Sequence, residues 1–300
     1  MRLVTYESNA IWHSGFIVGE WVVDSSVAGK RADLSSGADA GQISNRHIIQ
    51  LSPERRSDLE HAARALASED PAPPGVFLTG ELLLGPPIPD PEKIICLGLN
   101  YRSHAEEIGF SIPTVPILFA KFRNALTGPS SPVILPDLSQ EIDFEGELAV
   151  VMRRQCKNVS SENALEYVAG YMVLNDVSAR DLQFRSGQWL SGKALDTFAP
   201  CGPALVIDEI VDPQNINVST RINGQIFQQD NTRNMIFTVA DSIAYISQLM
   251  TLEPGDIIAT GTPEGVGFKR NPPVFLHHGD VVEVTIDGIG TLRNPVVGNR

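Results

Sequence analysis

The sequence contains few basic residues for its length, and this deficit limits the partners it can bind. It has 23 lysines and arginines against 36 aspartates and glutamates, which gives a formal net charge of −13. Nucleic acids and anionic membrane surfaces attract proteins with a basic surface. The composition therefore disfavours both a nucleic-acid partner and a membrane partner.

Long hydrophobic runs and cysteine are scarce as well. No apolar stretch approaches the roughly 20 residues that cross a bilayer, and polar residues interrupt the first twenty, which makes them a poor secretory signal. The three cysteines, Cys96, Cys156 and Cys201, show no metal-binding spacing and cannot all pair. We interpret them as small buried hydrophobic residues in a reducing compartment and expect a cytoplasmic protein.

Two stiff, proline-rich segments divide the chain. Residues 71–75 and 85–91 contain prolines that exclude them from helices and from central strands. The sequence therefore predicts a small N-terminal α/β domain over residues 1–85. A larger domain is predicted over residues 90–300.

Hydrophobic periodicity predicts many strands and few helices. Ser52 suits a helix N-cap and Pro53 the first helical position, so a helix is expected to run to about Ala67. Two further helices are predicted at 160–169 and 238–250. The predicted strands are a pair at 15–23 and single strands at 93–98, 145–153, 171–175, 204–208, 257–260 and 281–286. Because so few helices cannot form repeated βαβ units, a β-rich α+β fold is expected.

Acidic residues occupy every second position of one short segment, at Glu141, Asp143, Glu145 and Glu147. In a β-strand such side chains share a face, where they repel one another and are costly to bury. A hard divalent cation takes oxygen ligands and would remove both penalties. The alternative is a solvated strand edge whose charge blocks aggregation.

Four other positions have both a chemical and a structural interpretation. His104 and Glu107 share a face of any helix, and a carboxylate that orients an imidazole makes a general base, although a surface pair has the same spacing. Lys193 could stabilise an enolate in its apolar setting, or it could be a surface lysine whose aliphatic chain packs over Trp189. Asp176 could be a ligand at a strand end or a helix cap.

A glycine-rich loop at residues 260–267 directly follows a predicted strand. Its backbone N–H groups and threonine hydroxyls suit a carboxylate or a phosphate, although a plain turn has the same composition. The loop lacks the sequence of a Walker loop and of a dinucleotide-binding loop.

These motifs follow one another in a characteristic order. They are Asn100-Tyr101 with His104, FEGELAVV at 144–151, NDVSARD at 175–181, Gly192-Lys193, DTF at 196–198, LEPGD at 252–256 and TGTP at 260–263. In this order they resemble the fumarylacetoacetate hydrolase family over about residues 92–298. The resemblance implies a mixed β-sheet roll with few helices, a homodimer, and a divalent cation: Mg²⁺ or Mn²⁺, with Ca²⁺ as a further candidate.

The resemblance also implies a role for individual positions. The implied metal ligands are Glu145, Glu147 and Asp176; the implied catalytic residues are His104, Glu107 and Lys193; and the implied substrate contacts are Lys121, Gln183, Gly261 and Thr262. Glu141 and Asp143 fall outside the implied ligand set. His104 with Glu107 resembles the dyad that the shorter acylpyruvase-type members carry on a lid.

One departure from the family pattern bears on the substrate. Fumarylacetoacetate hydrolase itself has a further acidic ligand before its lid histidine, where this chain has residues 97–100, LGLN. The difference favours the members that act on smaller 2-oxo and 2,4-dioxo acids. We therefore expect metal-dependent C–C bond hydrolysis of an acylpyruvate-type acid through an enolate, with His104 taking a proton from water. The alternatives are oxaloacetate decarboxylation, an isomerase or sugar-acid hydrolase using the same ligands, and a metal-binding scaffold without turnover.

Overall fold

The computed structural model describes residues 1–34 and 43–298. Its strands are β1 (Arg2–Ser8), β2 (Ile11–Val18), β3 (Trp21–Asp24), β4 (Val76–Leu78), β5 (Leu84–Gly85), β6 (Ile94–Gly98), β7 (Ile117–Lys121), β8 (Leu126–Thr127), β9 (Val133–Leu135), β10 (Ile142–Asp143), β11 (Gly146–Met152), β12 (Val168–Asn175), β13 (Ser178–Ala179), β14 (Ala199–Val206), β15 (Asn217–Ile222), β16 (Gln225–Asn231), β17 (Ile257–Ala259), β18 (Val281–Ile286) and β19 (Gly290–Gly298).

The helices are short apart from two. They are α1 (Ser25–Arg31), α2 (Asn45–Ile48), α3 (Pro53–Ala67), α4 (Arg102–Ile108), α5 (Ser161–Ala164), α6 (Arg180–Gln183), α7 (Leu190–Lys193) and α8 (Val239–Leu249). Single 3₁₀ turns lie at Thr79–Glu81, Arg123–Ala125, Leu165–Tyr167, Thr232–Asn234 and Gly267–Lys269. Within the described ranges, no helix combines the length and the apolar composition needed to cross a bilayer.

A mixed twelve-stranded sheet forms the centre of the molecule. Its order is β4-β3-β2-β1-β14-β12-β11-β17-β6-β7, with β5 added beside β1 and β8 beside β14. A second sheet has five strands in the order β16-β15-β18-β19-β9, and β10 pairs with β13 alone. The predicted β-rich α+β roll with few helices is confirmed.

Strand β11 is buried on both faces, which explains its uninterrupted apolar sequence. Leu148 and Val150 pack in the core between the two sheets, with Val284 of the five-stranded sheet. Ala149 and Val151 face the other way and join a second core beneath α3. This central strand therefore gives the residues at its start a rigid, desolvated position.

The N-terminal part is joined to the main sheet. Strand β1 pairs antiparallel with β14, with Arg2 opposite Val206. The predicted strand pair is the hairpin β2–β3, and α3 begins at Pro53 with the Ser52 side chain accepting a hydrogen bond from the Arg55 N–H. A continuous sheet therefore crosses the boundary between residues 1–85 and 90–300, and the division into two domains stays a prediction.

The helix predicted at 160–169 is wrong in its second half. Helix α5 ends at Ala164, a 3₁₀ turn follows, and Val168 already begins β12. Val168 lies opposite Met152 of β11, so sheet pairing replaces the helix that the local periodicity suggested. The helix predicted at 238–250 is confirmed as α8.

Candidate active site

Strand pairing brings three carboxylates together. Glu145 precedes β11, Glu147 is its second residue, and Asp176 follows the neighbouring strand β12. The Asp176 N–H donates to the Glu145 carbonyl oxygen at 2.8 Å. One oxygen from each side chain lies within 4.8 Å of the other two, and all three residues are buried.

The donor set fits a hard divalent cation. Carboxylate oxygens are the ligands that Mg²⁺, Mn²⁺ and Ca²⁺ prefer. Burial raises the pKa of Glu147 well above its usual range, and the carboxylates of Asp176 and Glu145 raise it further. Glu147 therefore has too little positive charge around it to stabilise its ionised form. Glu145, Glu147 and Asp176 are the residues that would hold the ion.

Two lysines neutralise part of this cluster from different sides. Lys193 Nζ donates to Glu145 Oε2 at 2.7 Å and to Asp176 Oδ2 at 2.8 Å, and Lys193 lines the cavity described below. Lys121 Nζ lies 2.7 Å from Asp176 Oδ1 and donates to the main-chain carbonyls of Val177, Lys193 and Phe198.

Lys121 is therefore placed differently from the predicted substrate contact. Its ammonium group is surrounded by Asp176 and main-chain carbonyls, and Lys121 is 1% exposed. It is not among the described residues that line the cavity. The geometry supports a role in holding Asp176, and the role of Lys121 as a substrate contact stays a prediction.

An arginine that was not predicted as a site residue completes the charge pattern. Arg180 Nε donates to Asp143 Oδ2 at 2.8 Å, Nη2 lies 2.7 Å from Glu145 Oε1, and Nη1 donates to Gln183 Oε1 at 2.9 Å. Asp143 belongs to β10 and Glu141 precedes it, so neither shares a strand with Glu147. The alternation of acidic residues suggested that Asp143 could be a metal ligand. In the structure its carboxylate instead pairs with Arg180.

With every group ionised, the whole cluster carries one more negative than positive charge. Its buried members are the carboxylates of Asp143, Glu145, Glu147 and Asp176 and the cations Lys121, Arg180 and Lys193. A divalent cation would leave one positive charge in excess, which suits an anionic substrate.

Helix α4 carries the predicted dyad over this cluster. His104 Nδ1 lies 3.3 Å from Glu107 Oε2, and Glu107 Oε1 accepts a hydrogen bond from the Gly265 N–H at 3.0 Å. Before the helix, the Asn100 side-chain amide donates to the carbonyl oxygens of Phe237 and Thr260 at 3.0 and 2.8 Å. These bonds fix the start of α4, and Gly109 ends it in a left-handed conformation.

One cavity is lined by His104 of the dyad and by Glu145 and Glu147 of the cluster, with Glu107 and Asp176 beside them outside its lining. Its polar lining residues are His104, Glu145, Glu147, Arg180, Gln183, Lys193 and Thr262. Its remaining wall is apolar and is formed mainly by Leu97, Leu99, Ile108, Phe110, Phe119, Phe184, Trp189 and Phe268. His104, the candidate ligands Glu145 and Glu147, and an apolar wall therefore face the same cavity.

The sequence profile of the fumarylacetoacetate (FAA) hydrolase C-terminal family matches residues 93–297, the segment that builds this cavity. The chain belongs to the fumarylacetoacetate hydrolase family. Mitochondrial oxaloacetate tautomerase Fahd2a of Rattus norvegicus is 43% identical over 277 residues, which cover 92% of this chain and 86% of the relative.

Two solved structures of the family extend over the whole chain. Fumarylacetoacetate hydrolase from Exiguobacterium antarcticum superposes with a TM-score of 0.80 at 34% identity, and 5-carboxymethyl-2-hydroxymuconate delta-isomerase from Mycobacterium smegmatis with a TM-score of 0.75 at 34% identity. Each covers 100% of both chains. These relatives carry names of enzymes that catalyse different reactions, so the family indicates an enzyme without naming its reaction.

The family's glycine-rich loop supports the cluster in this chain. The Gly261 N–H donates to Glu147 Oε2 at 2.7 Å, and the Thr262 hydroxyl donates to the Gly146 carbonyl oxygen at 3.0 Å. Gly261 has a φ of +95°, and a side chain there would press on Asn100. Thr262 lines the cavity, whereas Gly261 uses its N–H on a candidate metal ligand; their roles as substrate contacts stay predictions, as does that of Gln183.

Proposed function

We propose that this protein catalyses the keto–enol tautomerisation of oxaloacetate or a closely related 2-oxo acid, with Mg²⁺ or Mn²⁺ as cofactor. The observation that carries the proposal is the cavity lined by His104, Glu145 and Glu147, with Glu107 paired to His104 and Asp176 beside the two glutamates. Enolisation needs a base for a carbon-bound proton and positive charge beside the neighbouring carbonyl oxygen. The name of the rat relative, oxaloacetate tautomerase, supports the choice of substrate.

His104 is the proposed proton carrier. Its Nδ1 faces Glu107, which leaves Nε2 for the substrate. In our mechanism Nε2 takes a proton from C3, the C3–H electron pair forms the C2–C3 double bond, and the former carbonyl oxygen becomes negative. The imidazolium then gives its proton to that oxygen, so the enol forms with no water consumed and no C–C bond broken. Glu107 stabilises the imidazolium between the two transfers.

The other residues hold charge and position the substrate. A divalent cation held by Glu145, Glu147 and Asp176 would polarise the C2 carbonyl. Lys193 adds positive charge to the same wall and fixes two of these carboxylates through its hydrogen bonds. We propose Gln183 and Thr262 as substrate contacts.

Hydrolysis of an acylpyruvate is a second candidate, favoured by the apolar part of the wall. Phe110 and Phe184 line the cavity and are 56% and 52% exposed, and Phe119 and Trp189 stand edge to face 5.5 Å apart. An alkyl or aryl acyl group would cover these rings. In that reaction His104 would take a proton from water, the water oxygen would add to C4, and the C3–C4 bond would break to release pyruvate enolate.

Two assays with the purified protein distinguish these candidates. The loss of ultraviolet absorbance of enol-oxaloacetate reports tautomerisation, and coupled detection of pyruvate reports C–C cleavage of acetylpyruvate or decarboxylation of oxaloacetate. Each is run with Mg²⁺, with Mn²⁺ and with EDTA, beside metal without protein. We expect metal-dependent tautomerisation without matching pyruvate release, and its loss in His104→Ala. Pyruvate from acetylpyruvate without faster tautomerisation would replace our first proposal by the second.

Assembly is proposed from the sequence resemblance alone, and location was expected from composition and cysteine content. We propose a homodimer, which light scattering coupled to size-exclusion chromatography measures directly. The cytoplasmic location expected from the sequence stays a prediction, and the name of the rat relative places that protein in mitochondria.

A further inference from the structure

The loop at residues 265–268 contacts helix α4, the counterpart of the lid that the family resemblance implies, at one end and the carboxylate cluster at the other. At the first end the Gly265 N–H donates to Glu107 Oε1 at 3.0 Å. At the second end the N–H groups of Gly267 and Phe268 donate to Asp143 Oδ1 and Oδ2 at 2.7 and 3.1 Å. Four consecutive residues thus hold one carboxylate of the catalytic dyad and one carboxylate beside the metal ligands.

Asp143 is enclosed by donors. It is fully buried and accepts hydrogen bonds from the N–H groups of Phe144, Gly267 and Phe268 and from Arg180 Nε. These bonds fill the acceptor capacity of a carboxylate. Asp143 lies outside the cavity lining found in the described part of the chain, so it acts on a substrate only through other residues.

Arg180 transmits the position of Asp143 to a candidate metal ligand. Its Nη2 lies 2.8 Å from Asp143 Oδ2 and 2.7 Å from Glu145 Oε1, while Lys193 Nζ donates a hydrogen bond to Glu145 Oε2. The guanidinium carbon lies 4.3 Å from the centre of the Phe268 ring. Both oxygens of Glu145 are therefore held by cations, and one of those cations is anchored by Asp143 and covered by the loop.

Close backbone packing fixes the path of the loop. Gly265 has a φ of +99°, and a Cβ at this position would collide with the Phe227 carbonyl oxygen. A Cβ on Gly267 would collide with the Val274 carbonyl oxygen and lie 2.7 Å from Asp143 Oδ1. Because both glycines pack directly against main-chain carbonyl oxygens, a movement at one end of the loop is expected to move the other end.

We propose that Asp143 is a positioning residue that couples the lid to the metal-ligand cluster. Through the loop it keeps the Gly265 N–H on Glu107, and through Arg180 it keeps Glu145 in place. The inference rests on the proposed function in one respect, namely that the dyad and the cluster act in the same reaction. Removing the charge of Asp143 is expected to loosen both groups at once, although Asp143 touches neither His104 nor Glu107.

The test compares Asp143→Asn with the matched control Asp256→Asn. Asp256 is also fully buried, forms an ion pair with Lys93 at 2.8 Å, and accepts from the N–H groups of Lys93 and Glu253, with no hydrogen bond to the loop. We expect Asp143→Asn to speed amide exchange in α4 and to weaken Mg²⁺ binding, measured by calorimetry, by 10–100-fold. Asp256→Asn is expected to lower stability and leave both quantities unchanged.

A second variant and a double-mutant cycle keep the inference testable if Asp143→Asn folds poorly. Arg180→Lys keeps the charge but loses the planar fork, and we expect it to weaken Mg²⁺ binding and loosen α4 in the same way. Combining Asp143→Asn with Glu107→Gln should accelerate α4 exchange by less than the product of the single effects. Unchanged α4 exchange in Asp143→Asn and Arg180→Lys, or fully multiplicative effects, would overturn the coupling. Exchange and Mg²⁺ affinity need no substrate, so failure of the tautomerase proposal leaves this test intact.

Discussion

At the scale of single residues, two buried lysines have different contacts because their surroundings differ. Lys193 lines the cavity and bridges Glu145 and Asp176, whereas Lys121 lies behind Asp176 with its donors on main-chain carbonyls. Burial lowers the pKa of Lys121, and the charge of Asp176 opposes that shift. The ion pair with Asp176 is therefore what keeps this deeply buried ammonium charged.

Lys121→Met should lower the free energy of unfolding by about 3–5 kcal/mol in EDTA, because it leaves Asp176 buried with one cation fewer. We expect Mg²⁺ to restore more stability in this variant than in the wild type, since the cluster then lacks more positive charge. Urea unfolding with and without Mg²⁺ measures both effects. Lys93→Met is the matched control, because Lys93 pairs with Asp256 away from the cluster; equal responses of the two variants to Mg²⁺ would contradict the prediction.

His104→Gln should lower kcat by about 10²–10⁴-fold, because the variant keeps a polar side chain but removes the group that carries the proton. Mg²⁺ affinity should stay within a few-fold of the wild type, since the carboxylate ligands remain. Steady-state kinetics and calorimetry provide the two numbers. His61→Gln, on the exposed face of α3, serves as the control and should change neither quantity. An unchanged kcat in His104→Gln would rule out this base.

At the scale of elements, capping residues set the helix ends that the sequence predicted well. Helix α8 starts with a capping box: the Thr238 hydroxyl accepts from the Asp241 N–H at 3.1 Å, and Asp241 Oδ2 accepts from the Thr238 N–H and hydroxyl at 3.3 and 2.6 Å. Such a signal is local, so it is readable in the chain. The second half of the predicted helix at 160–169 has no capping box, and its last two residues belong to β12.

Asp241→Asn should lower stability by about 0.5–1 kcal/mol at neutral pH. Burial opposes ionisation of Asp241, but hydrogen bonds from Thr238 and Ser161 outweigh it and lower its pKa. The stabilisation by the carboxylate is thus complete above the ordinary aspartate pKa and is lost as the pH falls through the lowered value. Urea unfolding at several pH values should show wild type and variant converging in acid. A constant difference across the series would refute this assignment.

At the scale of the whole molecule, one sheet joins the two parts that proline-rich segments separate in the sequence. Strand β1 lies between β2 and β14, so the N-terminal part covers an edge that β14 would otherwise expose. An exposed strand edge promotes association of chains. We therefore expect residues 1–85 and 90–300 to unfold as one cooperative unit.

Tryptophan fluorescence tests this expectation, since the chain has three tryptophans and they report on both parts. With Trp12 and Trp189 replaced by Phe, Trp21 follows the N-terminal part. With Trp12 and Trp21 replaced, Trp189 follows the catalytic part. Equal urea midpoints indicate one cooperative unit. Midpoints that differ, with Trp21 lost first, would support the separate N-terminal domain that the sequence predicted.

The sequence by itself determined the features that depend on local spacing and order. The alternation around Glu145 and Glu147, the spacing of His104 and Glu107, and the ordered motifs were sufficient to predict the fold class, the family, and a candidate ligand set and dyad. The structure brings the members of each set close together, and His104, Glu145 and Glu147 line one cavity. Helix starts were predictable where a capping residue lay beside a periodic apolar segment.

Only the tertiary structure decided which charges meet. It separated Lys121 from Lys193, gave Arg180 a place between Asp143 and Glu145, and joined the lid to the cluster through the loop at 265–268. These contacts join residues far apart in the chain, and their geometry follows from the pairing of β11 with β12 and from close backbone packing. The spacing of residues in a sequence carries no information about such distances, because they are fixed only when the sheet and its loops pack together.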